Sequence, residues 1–131
     1  MKFTLLPERL AIVRLERDAE IPLWATGRFA SITRTPDELS IVCEKAAVPR
    51  DARASRGWRC LALHGPFDLN ATGVAAEFTT ILARERISVL VIGTYDTDYV
   101  LLSEESVESA IAALERAGHS VVPRLTARMC R

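Results

Sequence analysis

Two short stretches of this sequence combine residue types that can bind a small charged molecule. Gly73 closes the first stretch, and a glycine where a strand turns into a helix lets a ligand approach backbone N–H groups, which suit a carboxylate. Asp68 and Asp98 suit an ammonium or a guanidinium, because hydrogen bonds between charged groups are the stronger kind. Thr94 and Ser88 can add neutral hydrogen bonds that fix orientation. A ligand with a carboxylate and an ammonium needs such partners once water is removed from it.

The same residues also have purely structural explanations. Asp68 and Thr72 are types that often cap helices. Asp96 and Asp98 are common turn formers, and their D-x-D spacing can hold a divalent metal, although no further oxygen ligands cluster nearby in the sequence. Ser88 can be an outward-facing strand residue unless a second chain covers it. At the level of sequence these alternatives stay open.

Histidines and cysteines provide little support for catalysis. His64 and His119 lie at the ends of expected elements, and G-x-S-x-G, Walker A and G-x-G-x-x-G motifs are absent from the sequence. The three cysteines, Cys43, Cys60 and Cys130, are odd in number and lack C-x-x-C spacing, which favours reduced packing residues. We therefore expect a non-catalytic protein that needs no cofactor and no metal.

The overall composition excludes several other classes. The chain has 131 residues with 17 basic and 17 acidic side chains, and this zero net charge argues against a nucleic-acid partner. No apolar run approaches the roughly 20 residues that a membrane helix requires. The first residues lack the apolar core of a signal peptide. These features predict a globular cytoplasmic protein of one domain or two very small ones.

The second half of the chain predicts an α+β, ferredoxin-like order, β-α-β-β-α-β. The helices follow from apolar residues at helical spacing, and the second is expected to be capped by Ser103 and to end at Gly118. Two right-handed crossovers place both helices on one face of an antiparallel sheet. The expected strands cover residues 59–64, 87–94, 99–102 and 120–122, and the 87–94 strand is expected to be covered on both faces.

The first half shows a weaker copy of the same order, which predicts an internal tandem repeat with a degenerate first copy. Expected strands cover residues 10–15, 29–34 and 39–44, and residues 21–25 have room for only a turn or two of helix. A change of composition before Gly57 predicts a division into residues 1–57 and 58–131.

At this point the residues resemble a known family. The β-α-β-β-α-β order with Asp68, Thr72 and Gly73 at its first strand–helix junction is similar to an ACT domain, a small regulatory module that binds amino acids. Residues 87–102, with the Thr94-Tyr95-x-Thr97-Asp98 hairpin, and residues 29–38 are closer to the CASTOR-like branch. That branch includes animal cytosolic arginine sensors and small bacterial proteins.

The resemblance implies a ligand site between two ACT domains. In the animal sensors the ligand contacts match Ser88 and Val89 on one domain and Thr94, Tyr95 and Asp98 on the other. Those sensors carry four ACT units in one chain, whereas this chain has two, so an equivalent interface requires a homodimer.

The leading hypothesis is therefore a non-catalytic regulatory protein that binds an amino acid at an inter-domain or dimer interface. Two alternatives stay open. One is an interaction module without a small ligand, and the other is a regulatory subunit that acts in trans on an amino-acid biosynthetic enzyme such as aspartate kinase.

Overall fold

The computed structural model describes residues 1–123. The predicted tail, residues 124–131, and its Cys130 lie outside the described residues. The described chain forms two compact units: unit 1 contains Met1–Pro7 and residues 59–123, and unit 2 contains Glu8–Trp58. The predicted boundary after Gly57 lies one residue before this change of unit, but the first seven residues join unit 1. The assignment of residues 1–57 and 58–131 to separate domains stays a prediction.

Unit 1 contains both α-helices of the described chain. Its strands form a sheet in the order β8-β1-β5-β7-β6, in which β1 is antiparallel to β5 and parallel to β8. Its elements are β1 (Lys2–Leu5), the end of β5 (Ala54–Leu63), α1 (Val74–Arg84), β6 (Leu90–Gly93), β7 (Asp98–Ser103), α2 (Val107–Arg116) and β8 (Ser120–Val121). From β5 onward the order is β-α-β-β-α-β, so the predicted ferredoxin-like plan is confirmed.

The helices of unit 1 pack into one core with the sheet, as the crossover rule predicts. Phe78 and Leu82 of α1 and Ala110 and Leu114 of α2 are buried in the same cluster as sheet residues such as Phe3. These helix residues recur at three- and four-residue spacing, which puts them on one face of each helix. The apolar stripes identified in the sequence are therefore the faces that the helices bury.

Strand β1 is an element that the sequence analysis missed. Phe3 and Thr4 are buried in it, and the strand lies between β5 and β8, which a simple ferredoxin-like sheet would make neighbours. Four residues at the chain start carry too short a pattern to show period-two alternation. Their strand conformation depends on pairing with residues about sixty and 120 positions away.

Two details of the predicted helices and strands in unit 1 are wrong. The second helix begins one turn later than expected, because Glu104–Ser106 form a 3-10 turn and α2 starts at Val107 without a side-chain cap. Strand β6 is shorter than residues 87–94 and is not covered on both faces, since Leu90 and Val91 are 37% and 39% exposed. The apolar run looked like a central strand, but β6 pairs only with β7 among the described strands.

Unit 2 is a four-stranded antiparallel sheet without an α-helix. Its order is β3-β4-β2-β5, formed by β2 (Leu10–Leu15), β3 (Ser31–Arg34), β4 (Leu39–Glu44) and the start of β5. The predicted short helix at residues 21–25 is absent: the carbonyl of Pro22 accepts a hydrogen bond from Ala25 N at 3.1 Å, which closes only a turn. Ile41, Cys43 and Val48 belong to a core of this unit's own residues.

Among residues 1–123, no helix is both long enough and apolar enough to cross a lipid bilayer.

Candidate functional site

The first structural part of the candidate site is the junction between β5 and α1. Gly73 occupies the position before the helix with a φ of +76°, a left-handed conformation that glycine adopts without strain, and no side chain caps the helix. The first helical hydrogen bond runs from Glu77 N to the carbonyl of Gly73 at 2.9 Å. The N–H groups before Glu77 therefore lack intrahelical acceptors, and they lie at the positive end of the helix dipole.

This geometry decides between two interpretations of the junction residues. Neither Asp68 nor Thr72 caps α1, because the structure contains no side-chain cap there. Asp68 instead accepts a hydrogen bond from the backbone N–H of Asn70 at 2.8 Å, which fixes a turn within the junction. The helix-capping explanation for these two residues is wrong, and the amide end of α1 stays open.

The second part of the site is the hairpin between β6 and β7. Thr94 donates to the carbonyl of Thr97 through its backbone N–H at 2.8 Å and through its hydroxyl at 3.0 Å. The same hydroxyl accepts from Thr97 N at 3.3 Å. Threonine at position 94 thus closes the turn, and Asp98 follows as the first residue of β7, paired with Gly93.

Two hydrogen bonds join the junction to the hairpin. The backbone N–H of Phe67 donates to the carbonyl of Asp96 at 2.7 Å, and the hydroxyl of Thr97 donates to the carbonyl of Leu63 at 2.9 Å. The contact is so close at Gly65 that an added Cβ would lie 2.6 Å from the Asp96 carbonyl oxygen. These contacts bring two segments about thirty residues apart in sequence into one site.

Between the junction and the hairpin lies a solvent-facing cavity of about 300 Å³. It is lined by residues 67–69, 71 and 73–76 of the junction and by residues 94–98 of the hairpin. That volume is at the lower end of the range for small-molecule pockets. The cavity therefore has room for a ligand of a few heavy atoms.

Five of the eight residues proposed from sequence line this cavity: Asp68, Gly73, Thr94, Tyr95 and Asp98. The other three do not. Thr72 and Ser88 are exposed outside the lining, and Val89 is half-buried and packs on the core of unit 1. Ser88 and Val89 precede β6, because the chain turns at Glu85 and Arg86 after α1 and only enters the strand at Leu90.

Several lining residues were missed or given only a structural role in the sequence. Phe67 contributes a backbone N–H to the junction, so its side-chain type gave no signal. Leu69 was not proposed; it is a large apolar residue that is 67% exposed at the cavity, beside the correctly proposed Tyr95, which is 80% exposed. Asp96, which we interpreted mainly as a turn former, also lines it. The D-x-D spacing was the one sequence signal that pointed to this residue.

The charge of the lining is one-sided. Its ionisable carboxylates are Asp68, Asp96 and Asp98, and none of the lysines, arginines and histidines within residues 1–123 lines the cavity. Burial raises the pKa of Tyr99 above its ordinary value, and electrostatic interactions with Cys60 and Asp96 raise this pKa further. The lining therefore contains both backbone amide donors and carboxylate acceptors.

The two histidines lie outside the cavity. His64 makes a hydrogen bond with the hydroxyl of Thr4, and the ring of His119 packs against Phe78 at 4.8 Å with its Nε2 3.4 Å from an oxygen of Glu77. Across residues 1–123 no group of three or more His, Cys, Asp and Glu side chains is arranged to hold a metal ion.

Comparison with known families identifies the domain that contains this cavity. A model described as the ACT domain matches residues 53–116, which include the junction, the cavity and the hairpin. Residues 53–116 are an ACT domain. A second model, described as an N-terminal domain, matches residues 8–51, which lie within unit 2.

Solved structures show how far the whole chain resembles other proteins. A protein from Agobacterium tumefaciens shares 37% identity and a TM-score of 0.88, covering 95% of this chain and 94% of its own. A Vibrio cholerae protein, described as of unknown function and a possible transport protein, shares 22% identity and a TM-score of 0.73, covering 88% of each chain.

More distant similarity extends to the regulatory subunit of aspartate kinase from Thermus thermophilus, with 12% identity and a TM-score of 0.59. The match covers 85% of this chain and 93% of that subunit. At this identity the likeness shows a shared fold. No match was found among curated proteins.

Proposed function

We propose that this chain is a non-catalytic regulatory protein of the cytoplasm that binds an amino acid in the cavity between the β5–α1 junction and the β6–β7 hairpin. The observation that carries the proposal is that open helix amides and carboxylates line the same cavity. An amino acid has the two opposite charges that such a cavity can satisfy together.

The lining offers a partner for each charged group of an amino acid. The N–H groups of Val74, Ala75 and Ala76 can donate to an α-carboxylate, which the helix dipole also stabilises. Asp68 and Asp98 can accept from an ammonium. The exposed side chains of Leu69 and Tyr95 can then contact the ligand's own side chain, so they are candidates for setting which amino acid binds.

Ser88 and Val89 belong to the proposal only through a second copy of the chain, whereas Thr72 remains in it as the neighbour of Gly73 in the junction. They lie outside the cavity lining of one chain. Under the family resemblance, Ser88 and Val89 contact a ligand held between two ACT domains. We therefore propose a homodimer as the binding form.

A calorimetric titration with each of the twenty amino acids tests the ligand proposal. We expect at least one of them to bind with a dissociation constant of micromolar to millimolar order, and binding should raise the melting temperature as expected for a ligand of the native state. The absence of heat and of a melting shift with all twenty at millimolar concentration would refute ligand binding and favour the ligand-free interaction module.

A pair of matched variants locates the site. Asp68→Asn keeps an oxygen that can accept from Asn70 N, so the turn is retained while the charge is removed. We expect about tenfold or greater loss of affinity, which is the scale of a lost charged hydrogen bond. Asp51→Asn in unit 2 makes the same change at an exposed position and should leave affinity unchanged.

We also propose that unit 2 is a degenerate ACT copy, as in the tandem arrangement of the CASTOR-like branch. Its strand order supports this: counted along the chain, the order β5-β2-β4-β3 is fourth-first-third-second, all antiparallel. That is the strand order of a ferredoxin-like sheet whose crossover helices have been replaced by loops.

A second candidate function is regulation in trans of an aspartate kinase. Its support is the similarity to the regulatory subunit of aspartate kinase from Thermus thermophilus, of which 93% is covered. Co-expression of this protein with aspartate kinase catalytic chains, followed by affinity purification, tests it. A stoichiometric complex with altered lysine or threonine inhibition would favour this candidate, and recovery of this protein alone would argue against it.

A further inference from the structure

The hairpin of unit 2 repeats the hydrogen bonds of the hairpin beside the cavity. In unit 1 the backbone N–H of Thr94 donates to the carbonyl of Thr97 at 2.8 Å, and the Thr94 hydroxyl accepts from Thr97 N at 3.3 Å. In unit 2 the backbone N–H of Thr35 donates to the carbonyl of Glu38 at 2.9 Å, and the Thr35 hydroxyl accepts from Glu38 N at 3.1 Å. Each turn joins the second and third strands of its unit, counted from β2 in unit 2 and from β5 in unit 1. The two hairpins are therefore equivalent and can be compared position by position.

The residue directly before the turn differs between the two hairpins. In unit 1 it is Gly93, which pairs with Asp98, and in unit 2 it is Arg34, which pairs with Leu39. An added Cβ at Gly93 would lie 3.3 Å from a carboxylate oxygen of Asp98, which lines the cavity. The backbone position that has no side chain in unit 1 therefore carries a guanidinium in unit 2.

This guanidinium connects the hairpin of unit 2 to the loop that follows β2. Arg34 donates through Nη1 to the carbonyl of Arg17 and through Nη2 to the carbonyl of Ala19, the second at 2.8 Å. Residues 16–20 follow the first strand of unit 2, so they correspond to the β5–α1 junction of unit 1. A guanidinium presents its N–H donors in a planar fork, which suits two neighbouring oxygen acceptors. In unit 1 a cavity lies between junction and hairpin, whereas in unit 2 the Arg34 side chain spans them.

Two further arginines close the same end of unit 2. Arg14 donates through Nη2 to the carbonyl of Asp37 at 3.1 Å, and Arg17 donates through Nη1 to the carbonyl of Pro36 at 3.4 Å. In unit 1 the carbonyl of Asp96, which is equivalent to that of Asp37, accepts from a backbone N–H instead. Guanidinium groups in unit 2 therefore make connections that backbone groups make in unit 1.

We propose that the place in unit 2 equivalent to the ligand cavity is a guanidinium site, filled by the chain's own Arg34. The carbonyls of Arg17 and Ala19 are its acceptors, and removal of the side chain leaves them to a small guanidinium compound from solution. The chain then has its open ligand site in unit 1 and a permanently occupied one in unit 2. The inference rests on the proposal that unit 2 is a degenerate ACT copy, but it needs no amino acid bound in unit 1.

Titration of Arg34→Ala with ethylguanidinium tests the site, because this compound supplies the atoms that the substitution removes. The amide signals of Asp18 and Glu20 report on it, since their peptide groups contain the two accepting carbonyls. In Arg34→Ala we expect saturable shifts of both signals, with a dissociation constant on the order of 1–10 mM. The wild-type protein should show no saturable shift at the same concentrations. Arg50→Ala, which removes an exposed arginine of the same unit, should behave like the wild type.

A measurement on the wild-type protein does not depend on how the variant folds. A guanidinium held by two carbonyls rotates slowly about its Cζ–Nε bond, so the Nη groups of Arg34 should give separate nitrogen NMR signals at low temperature. Arg50 makes no side-chain hydrogen bond within residues 1–123, and its Nη signals should be averaged.

Two results would overturn the proposal. One is an Arg34→Ala protein, shown by circular dichroism to be folded, whose Asp18 and Glu20 amides do not respond to ethylguanidinium or respond as in the wild type. In that case Arg34 is a tether that leaves no site behind. The other is an averaged Nη signal for Arg34 like that of Arg50. Amino-acid titration of Arg34→Ala reports separately on the cavity of unit 1, so failure of one proposal leaves the other standing.

Discussion

The two units show the same succession of strands with different connections between them. In unit 1 the chain crosses from β5 to β6 through α1 and from β7 to β8 through α2. In unit 2 the corresponding crossings, residues 16–30 and 45–53, contain turns and one 3-10 turn. The first turn of a helix has backbone N–H groups without intrahelical acceptors, and these can donate to a ligand in front of the helix. A turn does not present such a row of N–H groups. The comparison teaches that the cavity in unit 1 depends on its helix as much as on its sheet.

The cores differ for the same reason. In unit 1 the sheet is covered by large helix residues such as Phe78 and Leu82. In unit 2 the crossing loops contribute Trp24, Ala25 and Val48 to the core. In unit 2, one aromatic side chain and a few small ones therefore cover the sheet, as the residues of two helices do in unit 1.

Removing the largest helix contact is expected to have the largest effect. Phe78 is fully buried, and its ring lies 5.4 Å from Phe3 in an edge-to-face arrangement. Phe78→Ala should lower the free energy of unfolding of unit 1 by about 3–5 kcal/mol, from lost burial and the cavity that remains. Urea unfolding followed by circular dichroism measures this, because both α-helices of the described chain lie in unit 1.

The control variant addresses the other unit. Both tryptophans, Trp24 and Trp58, lie in unit 2, so fluorescence reports on it. Ile41→Ala, in the core of unit 2, should lower the free energy of unfolding that fluorescence measures by about 2–5 kcal/mol. A Phe78→Ala protein whose helical signal unfolds at the wild-type urea concentration would contradict the assignment of that core.

Closing the space at Gly65 should have the next largest effect. A Cβ at this position would lie 2.6 Å from the Asp96 carbonyl oxygen, so Gly65→Ala forces the junction and the hairpin apart. We expect a cost of about 1–3 kcal/mol, as for other overpacked sites. Chemical shifts of the backbone amides of Phe67 and Thr97 should move while those of unit 2 do not. Unchanged shifts at both amides would show that the contact is looser than the structure indicates.

Substitutions at Gly73 test the cost of backbone conformation without a steric clash. An added Cβ meets nothing within 4 Å there, but the residue has a φ of +76°. Gly73→Ala should therefore cost about 1 kcal/mol, and Gly73→Asn should cost less because asparagine tolerates this region better. Thermal unfolding of the two variants measures the difference. Equal losses for alanine and asparagine would point to a cause other than backbone conformation.

Local pattern was sufficient to predict the helices and the hairpin of unit 1. Val74, Phe78 and Leu82 repeat at the helical period, and Thr94 with Asp98 surrounds a turn, so each signal lies within a few residues. The order of elements then restricted the fold to one plan. Five of the eight proposed site residues line the cavity because that plan brings the junction and the hairpin to one end of the sheet.

Features that depend on distant contacts could not be predicted in this way. Strand β1 exists because Phe3 is buried against residues far along the chain. The start of β6 depends on how α1 ends, where Arg86 adopts a φ of +59° and Ile87 N donates to the carbonyl of Leu82 at 3.0 Å. That turn moves Ser88 out of the strand. The contribution of Phe67 is a backbone N–H, which every residue except proline has.

As the pH is raised, the two units should lose stability in different pH ranges. Burial and the neighbouring carboxylate of Glu44 raise the pKa of Cys43 in unit 2 above its ordinary 9.0, and burial raises that of Tyr99 in unit 1 above its ordinary 10.0. A group with a raised folded-state pKa binds its proton more tightly in the native protein. Its stabilisation is complete below the ordinary pKa and is lost as the pH rises through the folded value.

Fluorescence should therefore report a falling free energy of unfolding from about pH 9 upward, before circular dichroism shows the corresponding fall from about pH 10. Cys43→Ala should remove the earlier loss and leave the later one, while Tyr99→Phe should do the reverse. If both probes lose stability together in both variants, the thiol and the phenol do not distinguish the units, and the two units unfold as a single cooperative body under these conditions.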